Sequence, residues 1–359
     1  MKGCIAGWLV ALVCGAQAAP VWAQEPPSVA ARWNAGAEDC AASRQPPLQV
    51  RRLDADTFVL RQDPCVSFEA NFLYLLVGHD RALLIDSGAI DDPARMPLAS
   101  KVMELVPQPG GKRLPLLVAH THSHSDHRKG DAQFAGMTGV EIVPADEAGV
   151  RRFYGLDDWP DGVARVDLGG RIVDVLPAPG HNANHVVFYD ESRALLFTGD
   201  FLLPGRLTVE DTAVFEKSAQ RVAAFVRDRP VSQVLGGHVE LDDKGGLYAY
   251  GATHHPRERR LELAKADVLA LPPALAGFNG FQSRHAQLVV THPRHNLALL
   301  ATGVALALAL AAWALVRRFK GSFSGEHGDG ISRSDFVEPM FGGPVTRAFE
   351  AVKDGFDPH

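Results

Sequence analysis

The sequence of 359 residues predicts an α/β fold in which strands and helices form layers, with one membrane-spanning helix near the C-terminus. Short apolar runs with the length of buried strands alternate with segments of helical spacing, as a layered α/β fold requires. Several of these runs end in a glycine next to one polar residue. A later run of twenty residues, 297–316, contains no charged side chain. The first pattern indicates a folded domain with a site at one edge, and the last indicates a bilayer span.

Strands and helices are both expected within one domain, residues 48–255, which has a normal size for a single core. A helix is expected at 215–226, where Val222, Phe225 and Val226 share a face, and a charged helix is expected at 257–269. Residues 256–296 would link the domain to the membrane. Strands are predicted at 58–60, 72–77, 82–85, 116–119, 141–143, 172–176, 186–189, 195–198 and 234–235.

Segment 121–128 reads Thr-His-Ser-His-Ser-Asp-His-Arg and follows the apolar run 114–119. His122 and His124 lie two residues apart, so at strand spacing they point to the same side. Asp126 and His127 follow where the strand turns toward a helix. Imidazole and carboxylate groups are ligands of zinc and similar ions. The segment therefore predicts a metal site at the end of this strand, with a surface histidine cluster as the alternative.

Four further segments each present one polar residue at a turn, three of them directly after an apolar strand. Glycine in these segments lets the backbone turn tightly. Taken singly, each segment is typical of an ordinary turn, but five such motifs in this order indicate one site. The polar residues are Asp86 in segment 83–88, His181 in 179–182, Asp200 in 195–200 and His238 in 234–238.

With these five motifs, the sequence resembles the metallo-β-lactamase-fold hydrolase superfamily from about residue 50 to about residue 255. His-x-His-x-Asp-His is the most specific of the motifs. The resemblance implies a four-layer αββα sandwich with the site at one edge of two packed sheets. It also implies two zinc ions. Three residues would bind one ion: His122, His124 and His181. Three would bind the other: Asp126, His127 and His238. Asp200 would bridge both ions, while Asp86 and His185 would orient the ligands.

Two zinc ions that share a water molecule lower its pKa toward about 7, so hydroxide is available at neutral pH. Asp126 and Asp200 are the expected catalytic carboxylates, and Asp126 is also a candidate for proton transfer. The expected reaction is hydrolysis of a small ester-like substrate by metal-bound hydroxide. A thioester, a lactone, an ester or a phosphodiester would suit this site. Iron and manganese are alternatives to zinc.

The identity of residue 200 narrows the choice among the activities of the resembled superfamily. A carboxylate there accompanies glyoxalase II-type thioesterases, lactonases and phosphodiesterases, whereas zinc β-lactamases commonly have cysteine or serine. Two alternatives stay open: a zinc β-lactamase-like enzyme, and a metal-binding sensor module without turnover. The net charge of −6 argues against nucleic acid as a partner. The expected partner is a small-molecule substrate, and the oligomeric state is not predicted.

The two ends of the chain predict export and anchoring. Residues 1–23 have the apolar run and small residues of a secretory signal peptide, and an uncleaved anchor is the alternative. A lead segment, 24–47, precedes the domain. Arg317, Arg318 and Lys320 follow the apolar run, which places that flank in the cytoplasm. We therefore expect a periplasmic catalytic domain, a membrane helix at 297–316 and a mostly disordered cytoplasmic tail at 317–359. A short helix at 345–352 and, as the alternative to the span, a buried core helix are also considered.

Cys40 and Cys65 are the cysteines outside the signal peptide, and they suit a single disulfide in an oxidising compartment. Several other side chains are assigned by their position. His120 is expected to be a strand residue below the site. The pair His254 and His255 is a candidate for the pocket lining. Candidates for substrate contact are Tyr248, Tyr250 and Arg257. Histidines expected to be solvated near the membrane are His285, His292 and His295.

Overall fold

The computed structural model describes residues 32–318 and 337–356. The predicted signal peptide therefore lies outside the described residues. The strands are β1 (Leu48–Asp54), β2 (Thr57–Gln62), β3 (Phe72–Val77), β4 (Ala82–Ile85), β5 (Leu116–Ala119), β6 (Val140–Ile142), β7 (Ala164–Asp167), β8 (Ile172–Pro177), β9 (Val186–Asp190), β10 (Leu195–Gly199), β11 (Arg206–Thr208), β12 (Gln233–Gly236), β13 (Glu262–Leu263), β14 (Gln282–Arg284) and β15 (Val289–Thr291). The α-helices are α1 (Leu98–Leu105), α2 (Ser125–Arg128), α3 (Glu147–Tyr154), α4 (Thr212–Arg227), α5 (Lys265–Ala276), α6 (Pro293–Arg318), α7 (Val337–Phe341) and α8 (Gly343–Phe356).

Two six-stranded sheets form the centre of the domain. The first has the order β1-β2-β3-β4-β5-β6, and the second has the order β13-β12-β10-β9-β8-β7. Parallel pairs lie where a helix connects the strands, as between β4 and β5 and between β10 and β12. A crossover of this kind is the usual way to join parallel neighbours. A third, three-stranded sheet has the order β11-β15-β14.

The core clusters define four layers. Neighbouring residues in the buried strands point to opposite faces, so each sheet has two apolar faces. Val59, Leu83 and Phe197 belong to the cluster between the two sheets. The opposite faces carry helices, as the two outer clusters show. Leu84 packs with α1 in one of them, and Leu196 packs with α4 and α5 in the other. This arrangement is the αββα sandwich expected from the sequence.

The predicted strands are all found, although β6 begins and ends one residue earlier than expected. The strands that sequence reasoning missed lie at sheet edges or in the small third sheet. In β7, for example, buried and exposed residues alternate over only four positions. Such short, half-polar edge strands lack the continuous apolar run that indicates a buried strand in a sequence.

The prediction of a helix at 257–269 is wrong for residues 257–264. Leu261 is fully buried, and β13 pairs antiparallel with β12, so this segment is extended. The helix α5 begins at Lys265, where the Asp267 carboxylate accepts a hydrogen bond from the backbone N–H of Ala264. It ends at Ala276, where Gly277 forms the C-cap, and its buried residues Val268, Leu271 and Leu275 pack in the outer apolar cluster.

Residues 256–296 differ from the expected simple link, since they pair with the rest of the domain. β15 is parallel to β11, and the residue after β15's end, His292, is 6% exposed. His292 was expected to be solvated, and that expectation is wrong. Its backbone N–H donates to Phe281 O, which holds it against the β14 side of the third sheet.

The helix α6 includes the predicted span 297–316, and no residue of this described helix is buried. It is long and apolar enough to cross a membrane by length and composition. In the tail, where disorder is expected over most of 317–359, the described segments 337–341 and 343–356 are helical, and residues 319–336 and 357–359 lie outside the described residues. The helix α8 includes the predicted 345–352, because Val345, Phe349 and Val352 recur at helical spacing.

The described part of the lead segment, residues 32–47, is attached to the domain by a disulfide, by side-chain packing and by backbone hydrogen bonds such as that from Ala37 N–H to Thr253 O. Cys40 and Cys65 form a disulfide with their Cα atoms 5.2 Å apart. Trp33, which is 8% exposed, packs edge-on against Phe72 of β3. The disulfide joins the lead to the loop between β2 and β3, whose far end lies beside the polar cluster described next.

Candidate metal centre

The most specific motif of the sequence lies at the carboxyl end of β5. After Ala119 the backbone leaves the sheet, and the short helix α2 begins at Ser125. His122 and His127 are buried, whereas Asp126 is partly accessible. The strand end and the short helix together place the motif's imidazoles and its carboxylate on one side of the loop.

Three histidines form the first cluster. The Nε2 atom of His122 lies 2.9 Å from Nδ1 of His124, and Nε2 of His181 lies 3.1 Å from the same Nδ1. His181 comes from the turn between β8 and β9. In a tetrahedral site with Zn–N bonds of about 2.0–2.1 Å, two ligand nitrogens are about 3.3 Å apart. The spacing of these three nitrogens therefore fits a shared ion.

A carboxylate and two histidines form the second cluster. The Nε2 atoms of His127 and His238 are 3.1 Å apart. Oδ2 of Asp126 lies 3.2 Å from the first and 3.4 Å from the second. His238 follows β12, so the second sheet contributes to this cluster as well. One imidazole pair and one carboxylate are again a ligand set that zinc accepts.

Asp200 lies between the two clusters. Its Oδ1 atom is 3.3 Å from Nε2 of both His127 and His238, and its Oδ2 atom is 3.6 Å from Nε2 of His181. Oδ1 is buried without a hydrogen-bond partner in the described part of the chain. A buried carboxylate oxygen without a donor is costly unless a cation compensates it. This oxygen therefore fits a bound metal ion.

Three histidines are oriented through the ring nitrogen that faces away from the clusters. Nδ1 of His181 donates to Thr208 O at 2.8 Å, and Nδ1 of His238 donates to Glu69 O at 2.6 Å. Because a carbonyl oxygen can only accept, these Nδ1 atoms carry protons and leave Nε2 free to bind a metal. The carboxylate of Asp86 lies 2.8 Å from Nδ1 of His127 and has the same effect.

The histidines of the two clusters differ in the direction in which their pKa values are shifted. Burial lowers the pKa of His122 well below its usual range, and neighbouring histidines lower it further. Burial also disfavours the charged form of His238, but Asp200 and Asp126 outweigh it and raise its pKa to about 10. For His127, burial is likewise outweighed by Asp126, Asp200 and Asp86, and the pKa lies well above its usual range. The carboxylate-containing cluster thus favours a positive charge at its centre, as a cation site requires.

Other residues that support the site were not predicted. Nδ2 of Asn71 donates to Oδ2 of Asp126 at 3.2 Å, and its side chain is fully buried. Thr121 donates from its backbone N–H to Oδ1 of Asp86 at 2.7 Å. A Cβ at Gly237 would lie 2.6 Å from Oδ1 of Asp200, so only glycine fits there. The sequence does contain one signal for Asn71, because it is a polar residue directly before an apolar strand.

The remaining assigned residues have different surroundings. His185 is buried and stacks on His122 with ring centroids 5.0 Å apart. His120 is buried, and its Nε2 lies 2.8 Å from Asp131 Oδ1, outside the two clusters. His255 stacks on Tyr248, and both line a small pocket that also contains Tyr250. Arg257 instead pairs with Asp242 on the surface.

Comparison with known families supports the motif analysis. The model of the metallo-β-lactamase superfamily matches residues 67–243, which include both clusters. A hydroxyacylglutathione hydrolase of Methylobacillus flagellatus is 29% identical over 59% of this chain and 82% of its own length. Enzymes of that name from Methylococcus capsulatus and Pseudomonas entomophila are 33% and 31% identical, over 45% and 46% of this chain and 61% and 62% of their own lengths.

Two further similarities are weaker. A solved metallo-β-lactamase from Pontibacter korlensis superposes with a TM-score of 0.45 at 16% identity, over 64% of this chain and all of that chain. The model of the FAD linked oxidases C-terminal domain matches residues 285–359. That match begins between β14 and β15, which pair with each other, so its start does not coincide with a folded unit.

The fold, the five motifs in their order and the match over residues 67–243 agree. The chain therefore contains a hydrolase domain of the metallo-β-lactamase superfamily, similar to glyoxalase II.

Proposed function

We propose that this domain is a dinuclear metallohydrolase, with zinc as the expected metal, and that it cleaves a small ester-like substrate. The observation that carries the proposal is the position of Asp200. One of its carboxylate oxygens faces His127 and His238, and the other faces His181. A carboxylate in this position suits two ions that lie close together.

The proposed ligands follow the two clusters. His122, His124 and His181 would hold one ion, and Asp200 would contact both. The second ion would be held by Asp126, His127 and His238. When bound, the pair of ions supplies Lewis acidity and a water molecule of lowered pKa. His185 stacks on His122 and would limit the movement of that ring without being a ligand.

The chain's own groups would position the reacting atoms and receive the proton. Asp126 is the more accessible of the two cluster carboxylates, so it is the proposed proton acceptor. Asn71 fixes the Oδ2 atom of Asp126 by donating to it. Asp86 and the Thr208 carbonyl orient the imidazoles of His127 and His181 through Nδ1, so that their Nε2 atoms would be free to bind the ions.

A thioester is the preferred substrate among the ester-like candidates, because the relatives are named hydroxyacylglutathione hydrolases. The residues after the metal motifs lead through α5 and the third sheet into α6. The expected glutathione-binding helical domain of glyoxalase II-type enzymes is longer than this segment. We therefore propose a thioester or ester whose non-acyl part is not glutathione.

We also propose that the domain works outside the cytoplasm and is anchored by α6. Two observations support this location. The Cys40–Cys65 disulfide is typical of an oxidising compartment. None of the described residues of α6 is buried, so its apolar surface needs another environment.

The test measures metal content and hydrolysis together on the purified full chain. The substrates are a thioester, a lactone, a phosphodiester and a cephalosporin, each chromogenic. We expect about two zinc ions per chain and turnover of the thioester, with both reduced in Asp200→Asn. The matched control is Asp91→Asn, since Asp91 is half-exposed and pairs only loosely with Lys129 at 3.7 Å. A chain that binds no metal, or an Asp200→Asn variant with full activity, would contradict the proposal.

A further inference from the structure

The loop that carries His181 is joined to the start of α6 by a short series of bonds. Nδ1 of His181 donates to the carbonyl of Thr208, the last residue of β11. Thr208 is in parallel register with Thr291, the last residue of β15. The apolar helix α6 begins two residues later, at Pro293. The loop that carries His181 is therefore held at the level where the chain would enter the bilayer.

A second set of contacts fixes the same arrangement. The backbone N–H groups of Glu210 and Asp211 donate to Gly180 O at 2.9 and 3.1 Å. The guanidinium of Arg294, in the first turn of α6, lies 3.9 Å from the Glu210 carboxylate. The loop next to His181 and the membrane-proximal turn of α6 thus share one neighbour, Glu210.

A groove of about 480 Å³ lies between these elements. Its lining includes Trp159, Pro160, Gly180, Val214 and Arg294. Val214 is an apolar side chain in the first turn of α4 that is 37% exposed. The groove thus presents apolar surface directly beside the loop of a proposed metal ligand and at the end of a proposed membrane helix.

Asn182 connects this groove to the metal motif. Asn182 lines the groove, and its Oδ1 accepts a hydrogen bond from Ser123 Oγ at 3.2 Å. Ser123 lies between His122 and His124 in the chain. A molecule in the groove would therefore end close to the first histidine cluster.

The charge of the groove limits what it can hold. Three carboxylates line it, those of Glu147, Glu210 and Asp211, whereas Arg294 is its single cationic side chain among the described residues. Asp211 also caps α4 by accepting from Val214 N at 3.0 Å. An excess of negative charge disfavours anionic headgroups and free carboxylates. The apolar side chains instead favour an uncharged alkyl chain.

We infer that the groove binds the alkyl chain of an electrically neutral acyl ester or thioester that resides in the bilayer. This inference rests on the proposed hydrolase function and adds its substrate class. Trp159 suits this position, since tryptophan is enriched where membrane and water meet. The acyl carbonyl would lie toward Asn182 and the metal motif, while the hydrocarbon tail would extend toward α6.

The first experiment detects occupancy without any turnover. Zinc-loaded full chain in phosphatidylcholine vesicles is titrated with bromododecyl maltoside, a neutral amphiphile whose bromine quenches nearby tryptophan. The fluorescence difference between the wild type and Trp159→Phe isolates Trp159 from the other tryptophans. We expect the brominated amphiphile to reduce this difference signal by about half or more. When both proteins also carry Val214→Asp, the amphiphile should reduce the difference signal much less. A difference signal that bromine leaves unchanged would overturn the inference.

The second experiment measures chain-length preference in the same vesicles. We expect kcat/KM for a dodecanoyl thioester to exceed that for a butanoyl thioester by at least about tenfold, because added methylenes are buried. Val214→Asp should reduce this ratio by about tenfold. The control Leu269→Asp changes another exposed apolar residue, on α5 and outside the groove, and should leave the ratio unchanged.

The two experiments separate the two proposals. Quenching of Trp159 without hydrolysis of either thioester would reject the hydrolase and retain the groove as an alkyl-chain site. Hydrolysis of the butanoyl thioester with neither quenching nor a chain-length preference would reject the groove and retain the hydrolase. Quenching together with the preference, both weakened by Val214→Asp, would support both.

Discussion

The carboxylate of Asp86 holds the imidazole of His127 in place: its Oδ2 lies 2.8 Å from Nδ1, and the two residues are 1% and 0% exposed. The same carboxylate accepts hydrogen bonds from the backbone and the hydroxyl of Thr121, which precedes the first histidine of the motif. One side chain of β4's end thus orients the segment that supplies most of the proposed ligands.

Replacing this carboxylate should weaken metal binding. In Asp86→Ala, His127 loses the partner that fixes its orientation, and affinity for the second metal ion should fall by about 10–100-fold. Titration with zinc in competition with a chromogenic chelator measures the loss. The control is Asp131→Ala, which removes the partner of His120. Equal zinc affinities in both variants would contradict the role of Asp86.

The glycine at position 237 should be indispensable for the metal centre. A Cβ there would lie 2.6 Å from Asp200 Oδ1 and 2.8 Å from Cε1 of His127, both closer than real Cβ contacts. Gly237→Ala should therefore displace these two groups and reduce bound metal to below about half of the wild-type content. Elemental analysis after gel filtration gives the metal content per chain.

Gly277→Ala is the matched control for this substitution. Among the described residues, the nearest atom to a Cβ at Gly277 is 3.5 Å away, an ordinary contact. We expect full metal content in this variant. Full content in Gly237→Ala as well would show that the two proposed ligands tolerate displacement, against the geometry described above.

The buried pair Arg171 and Asp190 should determine much of the stability. Arg171 Nε donates to Asp190 Oδ2 at 2.9 Å, and its other nitrogens donate to Asp56 O and to Thr57 Oγ1. Arg171→Met would leave a buried carboxylate without a cation, so the free energy of unfolding should fall by about 3–5 kcal/mol. Urea denaturation of the metal-free chain gives this value.

Two further variants test the cause. Adding Asp190→Asn to Arg171→Met removes the uncompensated charge and should restore part of the loss. Lys101→Met breaks the exposed pair with Glu104 and should change the free energy of unfolding by less than about 1 kcal/mol. If Arg171→Met were as mild as Lys101→Met, the pair would not stabilise the fold.

The disulfide between Cys40 and Cys65 should stabilise the domain by restricting the conformations of the unfolded chain. The two cysteines are 25 residues apart, and closing a loop of this size is worth about 3 kcal/mol in the chain-entropy account. The double variant Cys40→Ser/Cys65→Ser should unfold at correspondingly lower urea. Adding reductant should lower the stability of the wild type to that of the variant and leave the variant unchanged.

Ending the chain at Asn296 should separate anchoring from folding, because Asn296 can still donate to Phe281 O and Thr291 Oγ1. The described α6 buries none of its residues, so its removal should leave the melting temperature of the domain almost unchanged. The full chain should sediment with membranes until detergent is added, while the shortened chain should stay in solution. A full chain that stays in solution without detergent would contradict the proposed anchor.

Much of the candidate site was predictable because its residues carry their signal locally. The spacing of His122, His124 and His127 after an apolar strand indicates metal-binding chemistry without any structure. The groups that orient these ligands carry no such local signal. Thr208 O and Glu69 O are backbone atoms that orient His181 and His238, and a backbone oxygen leaves no trace in the sequence.

The fold was predictable where strands are buried on both faces, as in β3, β4 and β10. It was not predictable where pairing depends on distant partners. β13 has two residues and is defined by its bonds to β12, and β15 is defined by its register with β11. Residues 257–264 therefore had the composition of a helix although tertiary pairing makes part of this segment extended.

The two sheets each contribute to the metal clusters, the first through the residues after β5 and the second through His181, Asp200 and His238. An ion would thus find its complete set of ligands only after both sheets have docked. In kinetic terms, binding that follows the folding transition state slows unfolding and leaves the folding rate almost unchanged. The supply of zinc would therefore set how long a folded molecule persists, while the speed at which it forms would stay the same.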